Sequence, residues 1–190
     1  MPARTPIVLA SASPRRLELL KNAGIEFVVR PSHIAEVPLV GEAPREFGER
    51  MAREKARAAR ASGNGGTILA ADTVVAVGKD ILGKPEDAED AKRMLRLLSD
   101  KTHEVITAVC LLGEGFEDVH TESTAVHFNA MSESDIADYV ASGEPMDKAG
   151  AYAIQGRASR WISKIEGDYY NVVGLPVDLV WRMLRERGVA

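Results

Sequence analysis

Two adjacent arginines, Arg15 and Arg16, stand in the first turn of an expected helix, the end where the peptide dipole opposes positive charge. Before them come an apolar run at residues 7–10, two small hydroxyl residues, Ser11 and Ser13, and Pro14, which suits a first helical turn. That order reads as a strand, a tight turn and a helix N-terminus, whose unpaired N–H groups favour anions. Guanidinium forks match phosphate oxygens, so the pair fits a phosphate site. It fits equally a capped surface helix with solvated arginines. Ser13 is the expected N-cap and Ser11 the expected donor to a phosphate oxygen.

Asp72 follows Ile68-Leu69-Ala70-Ala71. A carboxylate in an otherwise apolar strand is costly to bury unless it is paired, hydrogen-bonded or on a metal. By residue type alone, a structural carboxylate capping a neighbouring loop accounts for Asp72 as well as a catalytic acid does. Glu36, in the irregular Ser32-His33-Ile34-Ala35-Glu36 stretch, reads by itself as a solvated loop acid. Lys55 lies on the charged face of an expected helix, and Lys84 is held in a turn between Gly83 and Pro85. Alone, both are solvated lysines. Gln155 has an amide that can read a uracil- or thymine-type edge, or is simply a loop glutamine. His103 has no second His or Cys at ligand spacing, so it reads as structural or as part of a loop beside the site, and no zinc site is expected. Neither a Gly-x-Ser-x-Gly elbow nor a Gly-x-x-x-x-Gly-Lys-Ser/Thr loop occurs, which sets aside serine-hydrolase and P-loop chemistry.

The elements that must hold these residues follow from periodicity and punctuation. Strands are expected at 7–10, 27–30, 67–77, 103–112, 122–128, 161–166 and 170–173. A hairpin turn at 78–80 leads into Ile81-Leu82. Helices are expected at 14–23, 44–61, 88–98 and 132–141, and one beginning at Pro176 with Val177, Val180, Trp181 and Leu184 on its apolar face. Early alternation of strands and helices, then clustered strands, indicates an α/β protein with a mixed, elongated sheet. The 190 residues fit one domain spanning 1–190, with 45% hydrophobic and 27% charged residues, ordinary for a globular chain. A net charge of −4 argues against non-specific binding to nucleic acid or an anionic membrane. No apolar run approaches the roughly 18 residues of a membrane span, and no signal peptide is evident, so a cytoplasmic protein is expected. The single cysteine, Cys110, lies in an apolar run and reads as a core residue.

Ser11 to Arg16 has companions further along: Arg53-Glu54-Lys55-Ala56, Ala71-Asp72-Thr73-Val74-Val75, Gly83-Lys84-Pro85 and Thr102-His103-Glu104-Val105. Lys148-Ala149-Gly150-Ala151-Tyr152-Ala153-Ile154-Gln155-Gly156 and Val172-Val173-Gly174-Leu175-Pro176 complete the set. In this order they resemble the Maf family of nucleoside triphosphate pyrophosphatases, and the likeness runs from about Ile7 to the final helix. The resemblance implies a Maf/inosine-triphosphatase-like fold: an elongated, mixed, twisted sheet flanked by helices, with a deep cleft between two lobes. It implies that Asp72 is the general base and that Glu36 is its partner acid. Family chains often carry two acids in the Glu36 loop; here Ala35 precedes Glu36. Asp72 and Glu36 would hold a divalent cation, Mg²⁺ or Mn²⁺, and Lys55 and Lys84 would join Arg15 and Arg16 on the phosphates. The Tyr152 to Gly156 segment resembles the dTTP/UTP branch, in which Arg15, Thr73 and Gln155 match positions linked to specificity. The basic Arg157-Ala158-Ser159-Arg160 that follows is unusual for that branch. The implied role is removal of unwanted nucleotides by a homodimer. The competing expectations are the same hydrolysis on 7-methyl-GTP or another base, and a non-catalytic nucleotide-binding regulator of cell division.

Overall fold

The structure is a computed structural model, and it describes residues 6–63 and 65–189. Strands β1 (Ile7–Leu9), β2 (Phe27–Val29), β3 (Ile68–Val77), β4 (Asp80–Leu82), β5 (Thr102–Gly113), β6 (Phe116–Phe128) and β7 (Ile162–Glu166) form one sheet. Its order is β2-β1-β3-β5-β6-β7, with β4 paired to β3. β1 runs parallel to β2 and β3, and every other pairing is antiparallel. The helices are α1 (Pro14–Asn22), α2 (Pro44–Ala61), α3 (Ala88–Leu98), α4 (Glu133–Ala141), α5 (Tyr169–Val173) and α6 (Val177–Glu186). The expected α/β mixed sheet with flanking helices is therefore the observed one. Among the described residues, no helix is long and apolar enough to cross a membrane.

The pleat of β3 divides its side chains between two cores. Ile68 and Ala70 pack against Ala52, Ala56 and Ala59 of α2, whose small side chains at helical spacing let the helix lie close to the sheet. Leu69 and Ala71 face the other way, onto Leu19 and Leu20 of α1 and Val180 and Leu184 of α6. A third core joins Val75 and Leu82 to α3 and α4 around Tyr139 and Phe128. By the same alternation Asp72 must project toward α2 and Thr73 toward α1.

One strand expected from the sequence is a helix. Residues 170–173 carry aromatic and β-branched side chains, yet they form α5. Asp168 caps it by accepting from the Tyr170 N–H at 2.8 Å, and Gly174, at φ 128°, ends it. The buried Asn171 decides the matter: its amide donates to the Val105 carbonyl and the Thr124 hydroxyl, both at 2.9 Å. Tertiary hydrogen bonds here override strand propensity. β6 also starts earlier than expected, at Phe116, because Glu117 and Asp118 are held by Arg57 and Arg187 from other elements. Trp181 stands outside the apolar face expected of it. α6 buries Leu179, Val180, Met183 and Leu184 instead and leaves Trp181 38% exposed.

Cys110 is buried in β5, and burial pushes its thiol up to about 12, so it is an inert core residue. His103 is buried among Phe128 and Tyr152, with Nε2 2.7 Å from the Tyr152 hydroxyl. Burial, with a smaller contribution from His127, pushes its imidazole down to about 4 from an ordinary 6.5. Between those values the unfolded chain binds the proton and the folded one does not, so stability falls as the pH drops through that window. The loss from this group alone should reach about 3 kcal/mol near pH 4. Urea denaturation at pH 7 and pH 4.5 should show this slope, and His103→Phe should flatten it.

Candidate active site

β1 and β4 leave a gap along one edge of β3. β1 pairs with β3 only as far as Leu69, and β4 pairs with it only from Val75 onward. Between them the edge faces loops rather than a strand, while β5 covers the opposite edge throughout. A cavity of about 430 Å³ opens there, outside the carboxyl end of β1. This is where parallel-strand crevices take ligands, and the size suits one small molecule. Ser11, Arg15, Arg16, Glu36, Lys55, Asp72, Thr73, Lys84 and Gln155 all line it. Residues scattered over much of the chain thus share one wall.

The backbone carbonyl of Ala71, left without a strand partner, accepts from Arg16 Nη1 at 2.8 Å. The same guanidinium donates through Nε to the Gly174 carbonyl at 2.8 Å and through Nη2 to the Thr73 hydroxyl at 3.0 Å. Thr73 in turn meets the Thr107 hydroxyl at 3.0 Å. Thr107 donates to the Asn171 carbonyl at 3.2 Å. Arg16 is therefore a strut joining α1, β3 and the α5–α6 corner, with most of its donors committed. Burial lowers its pKa from the ordinary value, against the charges of Asp72 and Glu36. Arg15, its neighbour, lies on the cavity wall. Ser13 takes the N-cap position, but its hydroxyl makes no capping bond; its N–H donates to the Ser11 hydroxyl at 3.2 Å.

On the α2 side, Asp72 is 4% exposed and Lys55 8%. The Lys55 ammonium donates to Asp72 Oδ1 at 2.6 Å and lies 2.8 Å from Glu36 Oε1. α2 carries both ends of this arrangement. Arg50, five residues before Lys55, clamps Glu42 through Nε at 2.6 Å and Nη2 at 2.7 Å and reaches the Val37 carbonyl at 3.0 Å. That fixes the loop that delivers Glu36. Burial alone would raise the Glu36 carboxyl; the hydrogen bond and charge of Lys55, with Lys84 and Arg16 beyond, hold it below the usual carboxylate range.

Lys84 and Gln155 are exposed at the cavity rim. Sequence reasoning passed over Asp147 and quoted Lys148 only as the start of the Lys148–Gly156 stretch, with no role of its own; the two line the cavity as an adjacent ion pair. What places them is Gly150, whose φ of 68° and contact with Val75 no other residue would accommodate: a Cβ there would sit 2.8 Å from a Val75 methyl. Among the described residues, no group of three or more His, Cys, Asp or Glu could hold a metal ion by itself.

A family model described as Maf-like protein matches residues 6–187. The chain is 53% identical over 183 residues to the dTTP/UTP pyrophosphatase of Koribacter versatilis, covering 96% of this chain and 95% of that one. It is 49% identical over 190 residues to the dTTP/UTP pyrophosphatase of Geobacter metallireducens, covering 99% of each. A third relative with that name, from Syntrophomonas wolfei, is 49% identical over 182 residues, covering 95% of this chain and 96% of the relative.

Removing Lys55 would strand a buried carboxylate. Lys55→Met is expected to destabilise the protein by about 3–5 kcal/mol. Adding Asp72→Asn should return a measurable part of that loss. Denaturant titration of the two variants checks both expectations; equal stability of Lys55→Met and the parent would show that the pair is not the contact drawn here.

Proposed function

The chain belongs to the Maf family, and we infer that it is a nucleoside triphosphate pyrophosphatase acting on dTTP and UTP, with its chemistry in the cavity along β3. The observation that carries the reading is the meeting of a buried acid, Asp72, with an array of cations and a base-reading amide in one nucleotide-sized space. The relatives' names supply the choice of dTTP and UTP over 7-methyl-GTP.

In this reading Asp72 is the general base. Lys55 engages Oδ1, which leaves Oδ2 to orient a water. The water oxygen attacks the α-phosphorus, its proton passes to Asp72, the α–β anhydride bond breaks, and pyrophosphate departs. Arg15 and Lys84 offset the charge gathering on the leaving pyrophosphate, while Lys55 spends its donors on Asp72 and Glu36. Arg16, already bonded to the Ala71 and Gly174 carbonyls, fixes the height of the Asp72 strand. It turns at most one edge of its guanidinium to a phosphate. Ser11 offers a hydroxyl to the phosphates, and Gln155 reads the pyrimidine edge through its donor and acceptor. Thr73 acts on specificity through Arg16, to which its hydroxyl is bound.

Asp72 and Glu36 fit a divalent ion of the Mg²⁺ or Mn²⁺ type. Both are hard oxygen donors held close enough to share one ammonium. Mg²⁺ commonly binds one or two carboxylates and completes its shell with waters and substrate phosphates. When bound, such an ion supplies positive charge that polarises the phosphoryl group.

Chromatographic product analysis with dTTP, UTP, CTP, 7-methyl-GTP and purine triphosphates tests the reading. Monophosphate and pyrophosphate should appear fastest from dTTP and UTP. Asp72→Asn should slow turnover by about 10²–10⁴-fold. Gln155→Ala should erode the preference for dTTP over CTP. Nucleotide binding without any product would turn the reading to a regulator.

A further inference from the structure

Of the cations on the cavity wall, two are already occupied by the protein. Arg16 serves backbone and hydroxyl acceptors, and Lys55 serves two carboxylates. A nucleoside triphosphate brings about four negative charges, and Arg15 and Lys84 alone are a thin complement for it. A further lysine faces the same cavity. Lys148 has a side chain only 15% exposed, and its ammonium is held by the Asp147 carboxylate and by the Glu144 carbonyl at 3.3 Å. Asp147, by contrast, is 77% exposed at the side chain.

The backbone around Lys148 is fixed from several directions. Its N–H donates to the Pro145 carbonyl at 3.1 Å, and its carbonyl accepts from Ala151 at 3.0 Å. Gly150 donates to the Gly83 carbonyl at 3.0 Å, which ties this turn to the one that carries Lys84. The Glu144 carboxylate accepts from the Tyr139 hydroxyl and the Arg157 N–H, both at 3.0 Å, and so anchors the far end of the segment that bears Gln155. A lysine held this firmly beside a cavity has lost much of its conformational freedom before any ligand arrives, which lowers the cost of engaging one. Across the same wall, the charge of Arg15 adds to that of Lys148 in keeping the Asp147 carboxyl below its usual range.

We propose that Lys148 is a further phosphate-binding residue, and that Asp147 holds its ammonium until the nucleotide takes its place. The proposal rests on the pyrophosphatase reading above. A phosphate oxygen is a strong acceptor for an ammonium, and the exposed Asp147 carboxylate returns to water at little cost once released. Asp147 is thus a competitor for Lys148 and a repulsive neighbour for the phosphates.

Calorimetric titration with inorganic pyrophosphate tests this on the full chain, with steady-state hydrolysis of dTTP beside it. Lys148→Met should weaken pyrophosphate binding by about 10- to 100-fold, the worth of one charge-assisted hydrogen bond. It should raise KM for dTTP more than it lowers kcat, and Lys148→Arg should restore most of the affinity. Asp147→Asn is expected to act in the opposite direction, tightening pyrophosphate binding several-fold by freeing the ammonium. A purely structural ion pair would instead make both substitutions weaken binding, through a shared loss of order, and that result would overturn the proposal. So would unchanged pyrophosphate affinity in Lys148→Met. If the unaltered protein neither bound pyrophosphate nor hydrolysed dTTP, the functional reading would fail first and this one with it.

Discussion

A strand edge without a neighbour must satisfy its backbone some other way, and in this protein the edge of β3 between Leu69 and Val75 sets that requirement. β1 is too short to cover it and β4 begins beyond it. Arg16 answers by donating to the Ala71 carbonyl, and its remaining donors reach Thr73 and Gly174. One guanidinium thereby replaces a stretch of strand. The gap stays open as a cavity, and the residues of the uncovered segment, Asp72 above all, become its floor.

The pleat then assigns the two chemical sides of the site. Asp72 points toward α2 and finds Lys55; Thr73 points toward α1 and finds Arg16. Each polar side chain enters the interior already matched with a partner, as burial requires. A chain of hydroxyls and amides, from Thr73 through Thr107 to Asn171 and Thr124, carries the polar seam across three strands and into α5. In a low-dielectric interior such hydrogen bonds are strong and order the groups that make them; the Asn171 amide nitrogen is satisfied twice, while its Oδ1 is buried without a partner. The seam holds the α5–α6 corner, and with it Gly174, against the cavity. The apolar clusters on either side of β3 give stability of the ordinary kind, while the polar seam gives the site its shape.

Much of this was legible in the chain. α2 and α3 span the residues that periodicity assigned to them, and α4 lies within the expected 132–141, opened by Ser132, whose hydroxyl accepts from the Asp135 N–H. The site residues named from the resemblance all reach one cavity. The misreadings share one cause. Residues 170–173 have strand-like side chains but obey the hydrogen bonds of Asn171, and Glu117 and Asp118, outside the strand expected at 122–128, join β6 where Arg57 and Arg187 from elsewhere hold them. Trp181 fits a helical stripe that is one position away from the face α6 presents to the sheet. Contacts between distant segments leave no local trace.

The sequence by itself determined the kinds of chemistry on offer: an acid in an apolar strand, paired arginines at a helix start, lysines in the company of glycine and proline. It determined most of the elements too, α5 and the start of β6 excepted, because hydrophobic period and capping are local. Only the tertiary structure decided what each charge does. It committed Arg16 to the backbone, set Lys55 between two carboxylates, and brought Lys148 and Asp147 to the cavity through a left-handed glycine. The reason is physical. A charged side chain's role depends on which partners lie within a few ångströms once water is excluded, and those distances exist only after the sheet has assembled.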